Sequence, residues 1–106
     1  MAAVDAAPPL TEKLQESVTR WCFGDIWQRD GLTVRERSLI TVAMLVALGR
    51  PTETRNHMKG ALANGVSGVE LREICLHALL YAGIPATGEA LRVLEGVLES
   101  EGGPAQ

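Results

Sequence analysis

The sequence predicts an all-α domain of about five helices. Of the 106 residues, 46% are hydrophobic but only 4% are aromatic, so the core must consist of small aliphatic side chains, which suit helix packing. Apolar residues recur at helical spacing, and no segment alternates with the two-residue period of a strand. We therefore expect a helical domain over residues 11–101, preceded by a flexible arm at 1–10 and followed by a flexible tail at 102–106.

The first predicted helix begins at Thr11 and ends before Gly24, with Leu14 and Val18 on its apolar stripe. The segment "GDIWQRDGL" follows, and its glycines and aspartates predict a loop. Trp27 lies in this loop, where a large aromatic ring either anchors the loop by packing or lines a ligand site. We therefore keep Trp27 among the candidate substrate-binding residues.

The second helix begins with the capping-box pattern "TVRE", in which Thr33 caps the helix and Glu36 reaches back to the Thr33 amide. It runs to about Leu48 and is apolar almost all round through "LITVAMLVAL". Since a helix with no polar face is normally buried on all sides, we expect this helix to be central. Gly49 ends it.

Three further helices are predicted after Gly49. Thr52 is the expected N-cap of the third, and Gly65 is expected to end it in the left-handed conformation. The pattern "SGVE" at 67–70 is a second capping box and opens the fourth. Pro85 suits the first turn of the last helix.

Charge and composition exclude several classes of protein. With 13 acidic and 10 basic residues and no run of Lys and Arg, the chain is not expected to bind nucleic acid. Its longest apolar run is too short to span a bilayer, and its start does not resemble a signal peptide. Cys22 and Cys75 are far apart and form no C-x-x-C pair, so we expect two reduced core thiols in a cytoplasmic protein.

Glu53 and His57 are the first candidates for proton chemistry. They lie four residues apart on the third predicted helix and so share a face. A carboxylate in this position can accept an imidazole N–H, which orients the ring so that its other nitrogen can exchange a proton. The alternative is an exposed ion pair that contributes only a few tenths of a kcal/mol to helix stability.

Arg37 and His77 are the next candidates. Arg37 stands where the second helix enters the core and can bind a carboxylate bidentately, or else form a salt bridge to Glu36, Asp25 or Asp30. His77 lies in "CLHAL" and is either a substrate-binding residue or a partly buried core or interface histidine. No metal site is expected, because Cys75 and His77 face different ways on one helix and no third ligand has suitable spacing.

Three segments taken together resemble the carboxymuconolactone decarboxylase family: "FGDIWQRDGLTVRERSLITVAML", "ALGRPTETRNHMKGALANGVSGVELREI" and "YAGIPA". Their order and spacing are specific as a set, and the resemblance as a whole extends over about residues 15–100. The resemblance implies an alkylhydroperoxidase-like helical fold assembled as a homo-oligomer, a trimer or hexamer, with sites near subunit contacts. Relative to that family we expect an N-terminal segment to be missing.

The resemblance also implies cofactor-free decarboxylation of 4-carboxymuconolactone to the β-ketoadipate enol-lactone, in the breakdown of aromatic acids. The family's glutamate–histidine pair corresponds to Glu53 and His57, and its arginine before Ser-Leu corresponds to Arg37. The peroxidase branch uses a C-x-x-C and a nearby histidine; this chain has no such motif, which argues against a thiol peroxidase.

On this interpretation Arg37 anchors a substrate carboxylate, His57 is the general acid and Glu53 orients His57. No cofactor is needed, because conjugation spreads the electrons left by CO₂ onto the lactone carbonyl. His77 either donates a hydrogen bond to the developing oxyanion or only packs. Two alternatives stay open: a related enzyme acting on another small acid or lactone, and an oligomer with the family fold but no chemistry.

Overall fold

The described part of the chain, residues 9–101 of a computed structural model, is helical almost throughout. Its five α-helices are α1 (Pro9–Ser17), α2 (Val34–Leu48), α3 (Pro51–Ala63), α4 (Gly68–Ala82) and α5 (Ile84–Ser100). No strand occurs within these residues, so the all-α prediction with about five helices is confirmed. Most of the predicted arm and the whole predicted tail lie outside the described residues.

The chain divides into two compact units, one ending at Leu32 and the other beginning at Thr33. In the first unit, α1 starts at Pro9, two residues before the predicted start, and continues into a wider π-helical segment, Val18–Phe23. A short 3₁₀ turn, Ile26–Gln28, follows. None of residues 10–32 is buried, and Cys22 is exposed, so the prediction of a core thiol is wrong for Cys22.

The second unit begins with the first predicted capping box. The Thr33 hydroxyl accepts the Glu36 N–H at 3.0 Å, and the Glu36 carboxylate accepts the Thr33 N–H at 2.8 Å. In the second box, at the start of α4, the same two bonds join Ser67 and Glu70 at 3.1 and 2.9 Å. Each box satisfies backbone donors that a helix start leaves unpaired, and both predictions are confirmed.

The ends of α2 and α3 also follow the predicted glycine signals. Gly49 ends α2 with φ of 71°, and Gly65 follows α3 with φ of 95°; glycine adopts this region without the steric cost of a side chain. The predicted N-cap of α3 is wrong: the cap is Arg50, and the helix already begins at Pro51. Proline suits the first helical position because its φ is fixed and it has no N–H to leave unpaired.

The core of the second unit lies among its four helices. Helices α2 and α5 contact each other, and each also packs against both α3 and α4. No helix within residues 9–101 is long and apolar enough to cross a membrane. The buried hydrophobic residues are Val42, Val46, Met58, Ala61, Val66, Leu71, Cys75, Ala90, Val93, Leu94, Val97 and Leu98.

The prediction that α2 is buried on all sides is wrong for the single chain. Only Ser38, Val42 and Val46, on one face of the helix, are buried. Met44 and Leu48 are 60% and 65% exposed. The partner helices α3, α4 and α5 cover the inner face, so an apolar outer face of α2 stays open.

Candidate functional site

Glu53 and His57 face each other on one side of α3, as their spacing predicts. The Glu53 Oε1 and His57 Nε2 atoms are 4.0 Å apart, longer than a hydrogen bond, and the side chains are 59% and 33% exposed. Catalytic hydrogen bonds are often this long before a ligand closes the site. The two groups thus lie close to each other without a hydrogen bond between them, and their role as a catalytic pair stays a prediction.

The neighbouring residues place this pair at the border between core and solvent. Thr54, Met58 and Ala61 form the buried line of α3. Glu53 and His57 each precede a member of that line by one residue, so they point about 100° away from it around the helix. Met58 is fully buried and adjoins His57, so core packing fixes the backbone from which the imidazole projects.

A side-chain hydrogen bond joins the end of α3 to the start of α2. The Asn64 amide donates to the Ser38 hydroxyl at 3.0 Å, and Ser38 is buried. Asn64 follows His57 by seven residues, which is about two helical turns or roughly 10 Å along α3. It therefore lies on nearly the same face of the helix as His57. The face of α3 that carries His57 therefore ends beside the start of α2.

Arg37 lies in that first turn, one residue before Ser38. Its side chain is half-buried, with the Nε atom inside the protein, and the Thr41 hydroxyl donates to its backbone carbonyl at 2.7 Å. The structure thus places Arg37 at the end of the α2–α3 pair where Asn64 lies. That a guanidinium at this end and an imidazole about two turns along α3 bind opposite ends of a small acid stays a prediction.

The other arginine of this turn, Arg35, forms an ion pair with Glu70 at the start of α4. The pKa of Glu70 is lowered, first by the hydrogen bond from the Ser67 backbone and then by the Arg35 guanidinium. No sequence pattern predicts this pair, because its members are 35 residues apart. Arg35 therefore has a structural partner in the neighbouring helix, which accounts for a cation so early in α2.

His77 belongs to a different part of the unit. It is exposed on α4, and its ring lies 5.4 Å from that of Tyr81, centroid to centroid. Both side chains line a cleft of about 700 Å³ between α2 and α4, and His57 is not among its lining residues. The structure therefore brings Glu53 and His57 together but does not bring His77 to them.

Trp27, the remaining candidate, belongs to the first unit. It is half-buried, and its ring lies 5.7 Å from that of Phe23 at an angle of 39°. The Gln28 side chain donates to the Phe23 carbonyl at 3.0 Å across the same turn. These contacts are those of the packing alternative, and a role for Trp27 in binding stays a prediction.

The remaining reactive groups offer little chemistry. Within residues 9–101, no group of three or more His, Cys, Asp or Glu side chains is arranged to hold a metal ion. Cys75 is fully buried, and this burial raises the pKa of its thiol to about 11. Because the thiolate is the reactive form, Cys75 is inert near neutral pH.

Comparison with known proteins gives consistent matches over most of the chain. Residues 12–96 match the family model of the carboxymuconolactone decarboxylase family. The chain is 42% identical over 91 residues to 4-carboxymuconolactone decarboxylase of Acinetobacter baylyi, a match covering 86% of this chain and 68% of the relative. It is 40% identical over 93 residues to nitrosuccinic acid decarboxylase of Metarhizium robertsii, covering 88% of this chain and 65% of the relative.

The chain thus spans about two thirds of the length of either relative. The matched region includes all of α2, α3 and α4, and with them Arg37, Glu53, His57 and His77. The family resemblance found in the sequence is confirmed, and the chain belongs to the carboxymuconolactone decarboxylase family.

Proposed function

We propose that the protein is a cofactor-independent decarboxylase of a small carboxylated acid, with His57 as the proton donor. The observation that carries this proposal is the half-buried His57 facing Glu53 on α3, in a chain about 40% identical to two proteins named as decarboxylases. The names of these relatives support the reaction class. The site geometry supports the assignment of residues.

The two relatives' substrates, as their names give them, share one chemical property. Each acid contains its own electron sink: a conjugated lactone carbonyl in 4-carboxymuconolactone and a nitro group in nitrosuccinic acid. When CO₂ leaves, the electron pair of the broken C–C bond moves into that group. The enzyme then needs only to bind the acid, stabilise the developing negative charge and return a proton to carbon.

Three side chains suit these tasks. Arg37, at the start of α2, anchors a substrate carboxylate through its planar fork of N–H donors. His57 donates the proton, and Glu53 accepts the other imidazole N–H so that the ring keeps its orientation. His77 lines a separate cleft, and the proposed chemistry requires no contact of the substrate with His77 or Trp27, the other two candidates from the sequence.

The preferred substrate is 4-carboxymuconolactone, which places the protein in the breakdown of aromatic acids, and the alternative is another small acid with an internal electron sink. We further propose that the protein works as a homo-oligomer, a trimer or hexamer. The open apolar face of α2, with Met44 and Leu48 more than half exposed, supports association. An oligomer with no chemistry is the competing function.

The test is CO₂ release by the purified protein from 4-carboxymuconolactone and, separately, from nitrosuccinic acid. We expect turnover of at least one of them, reduced roughly 10²–10⁴-fold by His57→Ala, which is the range that positioned proton transfer supplies. Lys59→Ala is the matched control: it changes an exposed residue of α3 that points away from His57, and it should retain the wild-type rate.

Two outcomes would contradict the proposal. Folded wild-type protein that releases CO₂ from neither acid, measured at several protein concentrations so that any oligomer forms, would favour the non-catalytic alternative. Turnover that survives His57→Ala would keep the reaction but remove His57 as the proton donor.

A further inference from the structure

The cleft between α2 and α4 is large because small side chains face each other across it. Its volume of about 700 Å³ falls within the range of small-molecule sites, about 300–1,000 Å³. Ala43 and Ala47 line it from α2, and Ala78 and Ala82 line it from α4. Four alanines at a helix contact leave open the space that larger side chains would fill, and three larger aliphatic side chains of α4 complete the apolar lining.

This cleft is separate from the contact of α2 with α3, the helix that carries Glu53 and His57. Leu45 lines the contact of α2 with the start of α3, beside Pro51 and Thr54. Ala43 and Ala47 are each two residues from Leu45, so they point about 200° away from it around the helix. The cleft therefore opens on the side of α2 that faces away from α3, and its function does not depend on the proposed decarboxylase site.

The cleft has one polar edge. Glu73, His77 and Tyr81 all line it and follow one another at four-residue spacing, so they form a row along α4. The imidazole and phenol rings are already in contact, 5.4 Å apart at 42°. An imidazole N–H and a phenol O–H can then stand side by side as donors, and Glu73 lies one helical turn before His77 in the same row.

We propose that this cleft binds a flat, largely apolar monocarboxylate. Its ring lies on the alanine walls, and its carboxylate accepts hydrogen bonds from His77 and Tyr81. Two adjacent donors match the two oxygens of one carboxylate. Apolar walls with a few convergent polar groups are typical of small-molecule sites.

The test is a titration of the ¹⁵N-labelled protein with benzoate, followed by amide chemical shifts. We expect saturable shifts at Ala43, Ala47 and Ala78, with a dissociation constant of about 1 mM or tighter, as for a ligand of few atoms. Ala43→Leu fills the cleft and should weaken binding at least about tenfold. Ala63→Leu makes the same change at an exposed position of α3 and should leave benzoate binding as in wild type.

Two further comparisons test the chemical class of the ligand. Tyr81→Phe keeps the ring and removes one donor, so benzoate should bind several-fold more weakly. Benzylamine has the same ring with a cationic head and should bind more weakly than benzoate; tighter binding of benzylamine would mean that Glu73 sets the selectivity and would overturn the proposal.

Three other results would also overturn it. The first is the absence of saturable shifts up to about 10 mM benzoate, a concentration well above the expected dissociation constant. The second is a set of shifts centred on Glu53 and His57. The third is a self-association that Ala43→Leu abolishes in sedimentation, with no benzoate binding, which would mean that a second copy of the chain occupies the cleft.

Discussion

Helices α3 and α4 each carry a glutamate four residues before a histidine, yet they present the two pairs to different surroundings. On α3, His57 is half-buried beside the fully buried Met58 and at the edge of the core. On α4, His77 is exposed and lines a cleft of about 700 Å³. The same local spacing therefore serves two different environments, and spacing alone does not identify a site.

The difference originates in the helix that both of them contact. Towards α3, helix α2 presents Leu45 and Val46, which leave no space for a ligand between the two helices at that level. Towards α4 it presents Ala43 and Ala47, which leave the cleft. The volume of the facing side chain on α2 thus decides whether a histidine on the neighbouring helix borders packed protein or open space.

The largest expected effect compares how much the buried side of α3 and the cleft side of α4 contribute to the free energy of unfolding. Met58→Ala removes a fully buried side chain next to His57 and should lower the free energy of unfolding by about 2–5 kcal/mol. Leu80→Ala, on the cleft side of α4, removes a side chain that is 71% exposed and should change it by less than about 0.5 kcal/mol. Urea unfolding of the two variants measures both values.

An equal effect of the two substitutions would contradict this prediction. If Leu80→Ala destabilises the protein as much as Met58→Ala, the outer face of α4 is buried in solution by another molecule. The contrast between a packed α3 and an open α4 would then hold only for the single chain, and the effect should depend on protein concentration.

The second prediction replaces each of the two glutamates by glutamine in turn. Glu53→Gln should lower kcat at least about tenfold, because a poorly oriented general acid loses part of the roughly 10²–10⁴-fold that proton transfer supplies. Glu73→Gln should leave kcat near the wild-type value, because Glu73 lines the separate cleft, and it should instead strengthen benzoate binding, because it removes a negative charge near the bound carboxylate. Steady-state kinetics and the benzoate titration, applied to both variants, separate the two roles. If Glu73→Gln lowered kcat and Glu53→Gln changed benzoate binding, the two assignments would have to be exchanged.

The smallest effect concerns the starts of the same two helices. The Ser67 hydroxyl caps α4, so Ser67→Ala should cost about 1 kcal/mol of stability. No side chain caps α3, and Thr52 is already inside the helix, so Thr52→Ala should be close to neutral. Thermal unfolding of the two variants gives the comparison, and an equal loss at both positions would show that Thr52 stabilises the helix by another route.

Most of the fold was predictable because its signals are local. The capping boxes at Thr33 and Ser67 and the glycines at 49 and 65 act on backbone groups within a few residues, so they can be recognised in the sequence. The start of α3 was misplaced because Pro51 and Thr52 are adjacent and competing signals, and the fixed φ of proline favoured the earlier start. The exposure of Cys22 was missed because periodicity identifies a helix face but not what covers it.

The candidate site was predictable only to the level of one helix. The four-residue spacing places Glu53 and His57 on one face, and the structure shows them 4.0 Å apart. The Ser38–Asn64 bond, which joins the end of α3 to the residue after Arg37, and the Arg35–Glu70 ion pair connect residues 26 and 35 positions apart. Tyr81 became a candidate only through its contact with His77.

The sequence by itself determined the helices, most of their ends, the family and the faces that the titratable groups share. These properties depend on backbone hydrogen bonds and on helical periodicity, which operate over a few residues. The tertiary structure alone decided which sides of α2 are covered, where a cleft opens and which charged groups meet. Those outcomes depend on the side-chain volumes and charges that distant segments bring together when the helices pack.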